Sequence, residues 1–377
     1  MTDQSLFWRT DWTEDDSLKL RKAYKFAGRF RLLERLGQGG FGQVWRVRDL
    51  DLDQEVALKI SVSDLTAETL VLRRLPKDRY VSIFDYVKDT SVEASAYSME
   101  LLERPWMTLD DYQREQIWPK FQNCDNSIDA IKMAIFIGID LLVTLGELHG
   151  KKHGKINRWC HADIKPQNLY VNRKLAKLAW ETEWGRLIRP FIKIGDLGLA
   201  CQAGSFICAG TPGYMAPEQE GSGRVSPATD LFAVAQTIAS TIIGRPFDRE
   251  ELKHVARMKT TLAEWMPSAY IVDKITVGLR KMTNATPALR GTSEDSIRFL
   301  TSILLSQEDW QVLTVLVSQA PAGITLNDAA EILFIEFAPS KGWRNCTIDR
   351  LSELKSMVRS MYKRGILSRN GHKYVVR

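Results

Sequence analysis

The chain has 377 residues, 44% apolar and 26% charged, with a formal net charge of +6. This is an ordinary globular composition, long enough to bury a substantial core divided among two or three lobes or domains. The most apolar run, 131–148, contains Asp140 and Glu147 and is bordered by Lys132 and Lys151, which excludes a membrane span there. Charged residues from Asp3 to Asp16 interrupt the aromatic N-terminal stretch, leaving no apolar segment for a secretory signal, so the expected location is cytoplasmic and away from a membrane. Cys124, Cys160, Cys201, Cys208 and Cys346 are scattered without metal-ligand spacing and read as reduced thiols.

In chain order, residues 1–28 form a polar extension carrying Phe7, Trp8 and Trp12. Phe30 to Leu36 reads as a strand that enters Gly37-Gln38-Gly39-Gly40-Phe41-Gly42, and Gln43 to Arg48 continues as a second strand. Glycines between two strands permit a tight hairpin whose backbone approaches phosphate oxygens closely, whereas a dinucleotide-binding turn would need a helix directly afterwards. Glu55 to Ile60 is a third strand. It sets Lys59 among apolar neighbours, where an ammonium needs anionic company. Leu65 to Leu75 has helical spacing with Glu68, Leu72 and Leu75 on one face, making Glu68 the expected partner of Lys59. Strands over Tyr80 to Val87 and Ala96 to Leu101 complete a strand-rich small lobe.

After Arg104-Pro105 the pattern turns helical, around Leu109 to Gln116 and again through Ile128 to His149. His161-Ala162-Asp163-Ile164-Lys165-Pro166-Gln167-Asn168 then places a carboxylate, an ammonium and a carboxamide at offsets of zero, two and five. These groups suit phosphoryl transfer: Asp163 to orient and deprotonate a hydroxyl, Lys165 to neutralise moving charge, Asn168 to hold magnesium. A long connection carrying Trp180 and Trp184 follows, and an extended or decorated hairpin is expected there. Asp196-Leu197-Gly198 sits at the end of a strand over Phe191 to Ile194, where Asp196 can hold a second position on the metal. Ala216-Pro217-Glu218 comes next, and a helix fits Ala228 to Ile243.

These ordered motifs resemble a eukaryotic-like (Hanks-type) serine/threonine protein kinase across roughly residues 30–300. The resemblance implies an α+β, bilobal fold over residues 29–302, using ATP and Mg2+. It assigns Asp163, Lys165, Asn168, Lys59 and Glu68 to catalysis, and Asn168 and Asp196 to the metal. Nucleotide contacts fall to Gly37, Gly39, Gly42, Val44, Ala57, Lys59, Met99, Glu100 and Leu102. Lys165 together with Thr211 resembles the branch whose acceptor is a Ser or Thr hydroxyl on a protein substrate. Glu218 is expected to pair with Arg290, and Asp230 to hold the catalytic loop's backbone. The chain departs from the family at Leu197, in place of phenylalanine, and at Ala162, where many members carry an arginine that clamps an activation-segment phosphate. Constitutive competence, or switching by a partner or by the flanking domains, is therefore expected. The alternative is a nucleotide-binding pseudokinase serving as a scaffold or DNA-binding regulator.

Residues 303–377 show helical patterns over Glu308 to Gln319, Leu326 to Phe337 and Thr347 to Arg364, followed by Asn370-Gly371 between two short strands. Three helices and a terminal hairpin resemble a winged helix. From Ser340 onward ten Lys or Arg face only Asp349 and Glu353, a balance of +8 that leaves the preceding chain near −2. On the third helix Lys355, Arg359 and Lys363 recur every four residues, away from a face formed by Leu351, Leu354, Met357, Val358, Met361 and Tyr362. Residues 340–377 thus offer a surface for DNA or for a protein partner, or else a solvated face with cations opposing the helix dipole.

Overall fold

The computed structural model describes residues 19–39, 42–121, 127–150, 159–181, 190–221, 223–266 and 269–303, and near the end 358–359, 362, 367–370 and 373–376. The small lobe is one antiparallel sheet built from β1 (Lys25–Phe26), β2 (Phe30–Gly39), β3 (Gly42–Asp49) and β4 (Gln54–Ser61), then, beyond helix α1 (Thr66–Leu72), β5 (Ile83–Asp89) and β6 (Ala94–Met99). Its spatial order is β1-β2-β3-β4-β6-β5. Period-two alternation in β3 buries Trp45 and Val47 with Phe30, Leu32, Val56, Leu58 and Ile60 on one face of the sheet. Phe26 joins this core, so the sheet begins at Lys25.

The helix expected over Leu65 to Leu75 is shorter, because Pro76 disfavours helical geometry just before it and the chain tightens into a turn, with the Arg74 amide bonded to the Val71 carbonyl. Glu68 and Leu72 on α1 are buried as the spacing requires.

The second lobe opens with β7 (Trp106–Thr108), α2 (Leu109–Tyr112), a wide π-type turn over Gln113–Ile117 and α3 (Trp118–Phe121). The helix expected around Leu109 to Gln116 is instead a short α2 that passes into the π turn, just before Pro119, which has no amide proton for the ladder. Then come α4 (Ser127–Leu148), β8 (Trp159–Cys160), β9 (Leu169–Asn172), α5 (Arg173–Glu181), β10 (Ile192–Ile194) and β11 (Cys201–Gln202). The long connection after Asn168 is a decorated hairpin: β9 pairs with β10, and α5 starts where Asn172 Oδ1 accepts the amides of Lys174 and Leu175. The positions of Trp184 and of the Trp180 side chain lie outside the described residues.

The remaining helices are α6 (Pro227–Ile243), α7 (Arg249–Lys253), α8 (Val255–Ala263), α9 (Ala269–Met282) and α10 (Ser293–Ile303). Pro227 opens α6 at the first helical position and Gly244 closes it in a left-handed conformation, the expected asymmetry of helix ends. A continuous core contains Leu141, Leu145 and Ile164 with Leu231, Val234 and Ile238. Asp140, within the apolar α4, accepts the amides of Phe191 and Ile192 at 2.9 Å and pairs with Arg79, which accounts for a carboxylate in that run. The lobes meet where the Val81 amide reaches the Ile194 carbonyl and the Ile194 amide reaches that of Arg79.

Near the end of the chain, β12 (Leu367–Asn370) pairs antiparallel with β13 (Lys373–Val376). The expected hairpin is present, but Asn370 ends its first strand and pairs with Lys373 rather than standing between the strands. The other C-terminal helical patterns lie outside the described residues, apart from a buried Val358 and exposed Arg359 and Tyr362 in helical conformation.

Candidate active site

Register builds the side of the site expected to hold the nucleotide. Residues directly opposite each other in an antiparallel pair share a face, as do alternate residues on one strand. Val44 faces Lys59, Ala57 faces Met99 and Lys59 faces Tyr97, so Val44, Ala57, Lys59, Tyr97 and Met99 share the sheet face turned away from the small-lobe core. Gly37 pairs with Val44 on that same side, Gly39 ends β2 and Gly42 opens β3. Gly42 has φ 122°, and a Cβ there would collide with the Ile60 carbonyl oxygen, so the hairpin lies against β4 only because this residue is glycine. Beyond Met99 the chain leaves the sheet; the Glu100 amide is taken by the Ser82 carbonyl, and Leu102 follows outside any helix or strand.

Lys59 Nζ lies 2.9 and 3.0 Å from the two carboxylate oxygens of Glu68 and 2.6 Å from Oδ1 of Asp196. Tyr97 donates its hydroxyl to Glu68 Oε1 at 2.8 Å. Burial opposes the charge on Lys59, yet the two carboxylates outweigh it and hold its pKa above the ordinary value. Burial likewise opposes the charge on Asp196, but the Lys59 ammonium holds that carboxyl below its usual range. Asp196 takes a left-handed backbone (φ 52°). Leu197, next in the chain, is 1% exposed in a core it shares with Leu72 and Tyr80, filling an apolar slot that spans both lobes.

On the catalytic loop, Asn168 Nδ2 donates to the Asp163 carbonyl at 2.9 Å and to Asp163 Oδ2 at 3.1 Å. Lys165 Nζ is 3.0 Å from Asp163 Oδ2 and donates to the Thr211 hydroxyl at 2.7 Å. Thr211 in turn donates to Asp163 Oδ1 at 2.8 Å. Underneath, Asp230 at the start of α6 accepts the amides of His161 and Ala162, both at 2.9 Å, and lies 2.8 Å from His149 Nε2. Burial disfavours charge on Asp230, but these bonds keep its pKa below the ordinary value. Glu218 and Arg290 form a two-pronged pair at 2.6 and 2.7 Å, with Arg290 wholly buried.

The donor set suits a hard cation. Asn168 turns its nitrogen toward Asp163, which leaves Oδ1 as the oxygen it could offer to a metal, with the Asp196 carboxylate as the other expected donor. Among the described residues no group of three or more His, Cys, Asp or Glu could hold a metal by itself. A pair of oxygen donors completed by substrate phosphates is the usual arrangement for magnesium rather than for zinc.

Three contributors have no counterpart in the motif reading. Lys193 on β10 bonds the Glu100 carboxylate at 2.5 Å and lies over the Trp106 ring. Its position between Ile192 and Ile194 is the same cation-in-strand signal that singles out Lys59. Tyr97 carries no local signal, because its partner is 29 residues away. Gln219 stands three residues after Ala216, whose amide it accepts, but its bond to the Ala162 carbonyl spans 57 residues.

The family model described as protein kinase domain matches residues 30–309. Serine/threonine-protein kinase PrkC of Bacillus subtilis is 26% identical over 264 residues, covering 65% of this chain and 36% of PrkC. Serine/threonine-protein kinase Pkn1 of Myxococcus xanthus is 28% identical over 247 residues, covering 60% and 30%. The chain therefore aligns with about a third of the length of these curated relatives. The crystal structure of the Mycobacterium tuberculosis PknI kinase domain matches with a TM-score of 0.53 at 18% identity, covering 75% of this chain and 99% of that one, a likeness of fold.

Proposed function

The chain belongs to the protein kinase domain family, and from that premise we propose that it transfers the γ-phosphate of ATP to a Ser or Thr hydroxyl of a protein substrate. The observation that carries this reading is the hydroxyl of Thr211 donating to Asp163 while Lys165 bonds both groups. An acceptor hydroxyl placed where Thr211 now donates would meet a carboxylate able to orient it and take its proton, with an ammonium beside the transferring group. Lys59, fixed by Glu68, would neutralise phosphate oxygens, and the face of Val44, Ala57 and Met99 would receive adenine against the backbone of Glu100 and Leu102. Magnesium, held by Asp196 and Asn168, would offset the phosphate charge. The names of the serine/threonine-kinase relatives support the acceptor class. Retention of every polar group in bonded geometry weighs against the pseudokinase alternative.

For residues 303–377 the reading is a winged-helix-like module with an acidic partner, nucleic acid first. The β12–β13 hairpin, buried Val358 and exposed Arg359 support it, together with the +8 charge from Ser340 onward. No helix among the described residues is long and apolar enough to cross a membrane.

The test is transfer of labelled γ-phosphate from ATP and magnesium to the protein and to a generic Ser/Thr acceptor, in wild type and Asp163→Asn, with and without duplex DNA. Transfer that disappears in the variant is expected. Nucleotide binding with no transfer by wild type under any condition would replace the enzyme with a scaffold. Stimulation by DNA that fades with rising salt would mark the tail as the contact.

A further inference from the structure

Gln219 ends the short 3-10 turn Pro217–Gln219, and its side chain is 1% exposed. Its Nε2 donates to the Ala162 carbonyl at 2.8 Å and to the Ala209 carbonyl at 3.0 Å, while its Oε1 accepts the Ala216 amide at 3.0 Å. One carboxamide therefore joins three stretches of backbone. Ala162 immediately precedes Asp163, and Ala209 stands two residues before Thr211. The side chain thus grips both backbone segments whose meeting creates the Asp163–Thr211–Lys165 contact.

Two local features make that grip consequential. Ala162 has φ 63°, a left-handed conformation that is unfavourable for a residue with a Cβ. Its amide is held by Asp230 Oδ1 and its carbonyl by Gln219, so the strained residue is fixed from both sides. Gly210, between Ala209 and Thr211, has φ 147°, and a Cβ there would lie 2.7 Å from Met215 Cγ and 3.3 Å from Gln219 Nε2. The segment reaches the carboxamide at the one residue type that allows so close an approach.

Ala162 supplies no guanidinium to hold a phosphate against this loop. We propose that Gln219 is a positioning residue, a neutral clamp that sets the activation segment in register with the catalytic loop without phosphorylation. The proposal deepens the kinase reading and rests on it.

The test uses the full chain as wild type, Gln219→Leu, which keeps most of the volume and removes all three bonds, and Gln219→Glu, which removes both donors. ATP binding and the KM for ATP should stay within twofold of wild type in both. Turnover should fall by about 10- to 100-fold, the scale expected from a misplacement of about 1 Å, and the acceptor-peptide KM should rise. Hydrogen exchange across residues 206–215 should quicken. Phosphatase-treated wild type should retain its turnover. Turnover and acceptor KM within twofold of wild type would overturn the clamp, as would a loss that merely follows ATP binding, or phosphatase inactivation of wild type. If wild type transfers no phosphate, the functional reading fails separately, and exchange alone decides: faster exchange in Gln219→Leu supports the clamp and unchanged exchange refutes it.

Discussion

The ammonium of Lys59 lies 2.6 Å from Oδ1 of Asp196, a residue 137 positions later, while its other bonds go to Glu68. One cation thus joins a central strand of the small sheet, the helix beside it and the loop after β10. Replacing it with methionine strands the buried Glu68 carboxylate and frees Asp196. Lys59→Met should lower kcat/KM for ATP by at least about 100-fold, and Glu68→Gln, which keeps an oxygen for Lys59 and Tyr97, by about 10-fold. Steady-state kinetics against ATP concentration measures both.

Arg290 is fully buried and gives its guanidinium to Glu218, with further bonds to the carbonyls of Asn284 and Ala228. Removing one partner of such a pair leaves the other buried and unpaired, which costs about 3–5 kcal/mol. Arg290→Met should shift the urea midpoint down accordingly. Combining it with Glu218→Leu should recover part of the loss, since no charge then remains buried. A double variant no more stable than the single one would contradict this.

Stability should also fall in acid through Glu251. Burial pushes its carboxyl up, but bonds from Arg245, Thr261 and the Asp248 amide prevail and bring it down to about 2, from an ordinary 4.5. A depressed folded-state pKa contributes stability that is fully present above 4.5 and lost as pH drops toward 2. Glu251→Gln should therefore be less stable near neutrality and show a shallower decline below pH 4.5, read as Tm against pH for the two proteins.

The three thiols among the described residues, Cys160, Cys201 and Cys208, should react in a definite order. Cys160 faces Cys201 across the β8–β11 pair; burial pushes Cys160 far above the usual thiol range and Cys201 up to about 12. Cys208 is exposed. Because the thiolate is the reactive form, iodoacetamide at pH 8 should label Cys208 well before Cys201 and leave Cys160 last. Peptide mass spectrometry over a time course gives the order directly.

How far these relationships can be read in advance depends on how local their causes are. Lys59 stands out because a cation in an apolar strand demands a carboxylate, and Glu68 lies one short helix away. The glycine hairpin and the strands around it follow from alternation and turn chemistry. Glu218–Arg290 and the role of Asp230 came from family resemblance, since nothing near Glu218 points to a guanidinium 72 residues on. Gln219 offers a local cue only for its bond to the Ala216 amide three residues back; the carbonyls it also grips, those of Ala162 and Ala209, are groups that every residue has. Lys193 could have been found by the rule that found Lys59. The length of the connection after Asn168 points to an extended or decorated hairpin but does not say that the decoration is the helix α5, for which Leu175 and Ala176 give only an apolar edge.

The bond between Glu100 and Lys193 bears on the selectivity of inhibitors. On the proposed reading Glu100 stands at the rim of the adenine pocket, where a carboxylate would be an attractive anchor for a basic group on a synthetic compound. Here its Oε1 already takes the Lys193 ammonium at 2.5 Å and the Ser82 amide at 2.8 Å, with Trp106 beneath the cation. A compound bearing an amine aimed at this position must displace an internal cation before gaining anything, whereas a neutral compound confined to the backbone edge and the Val44–Ala57–Met99 face meets no such competitor.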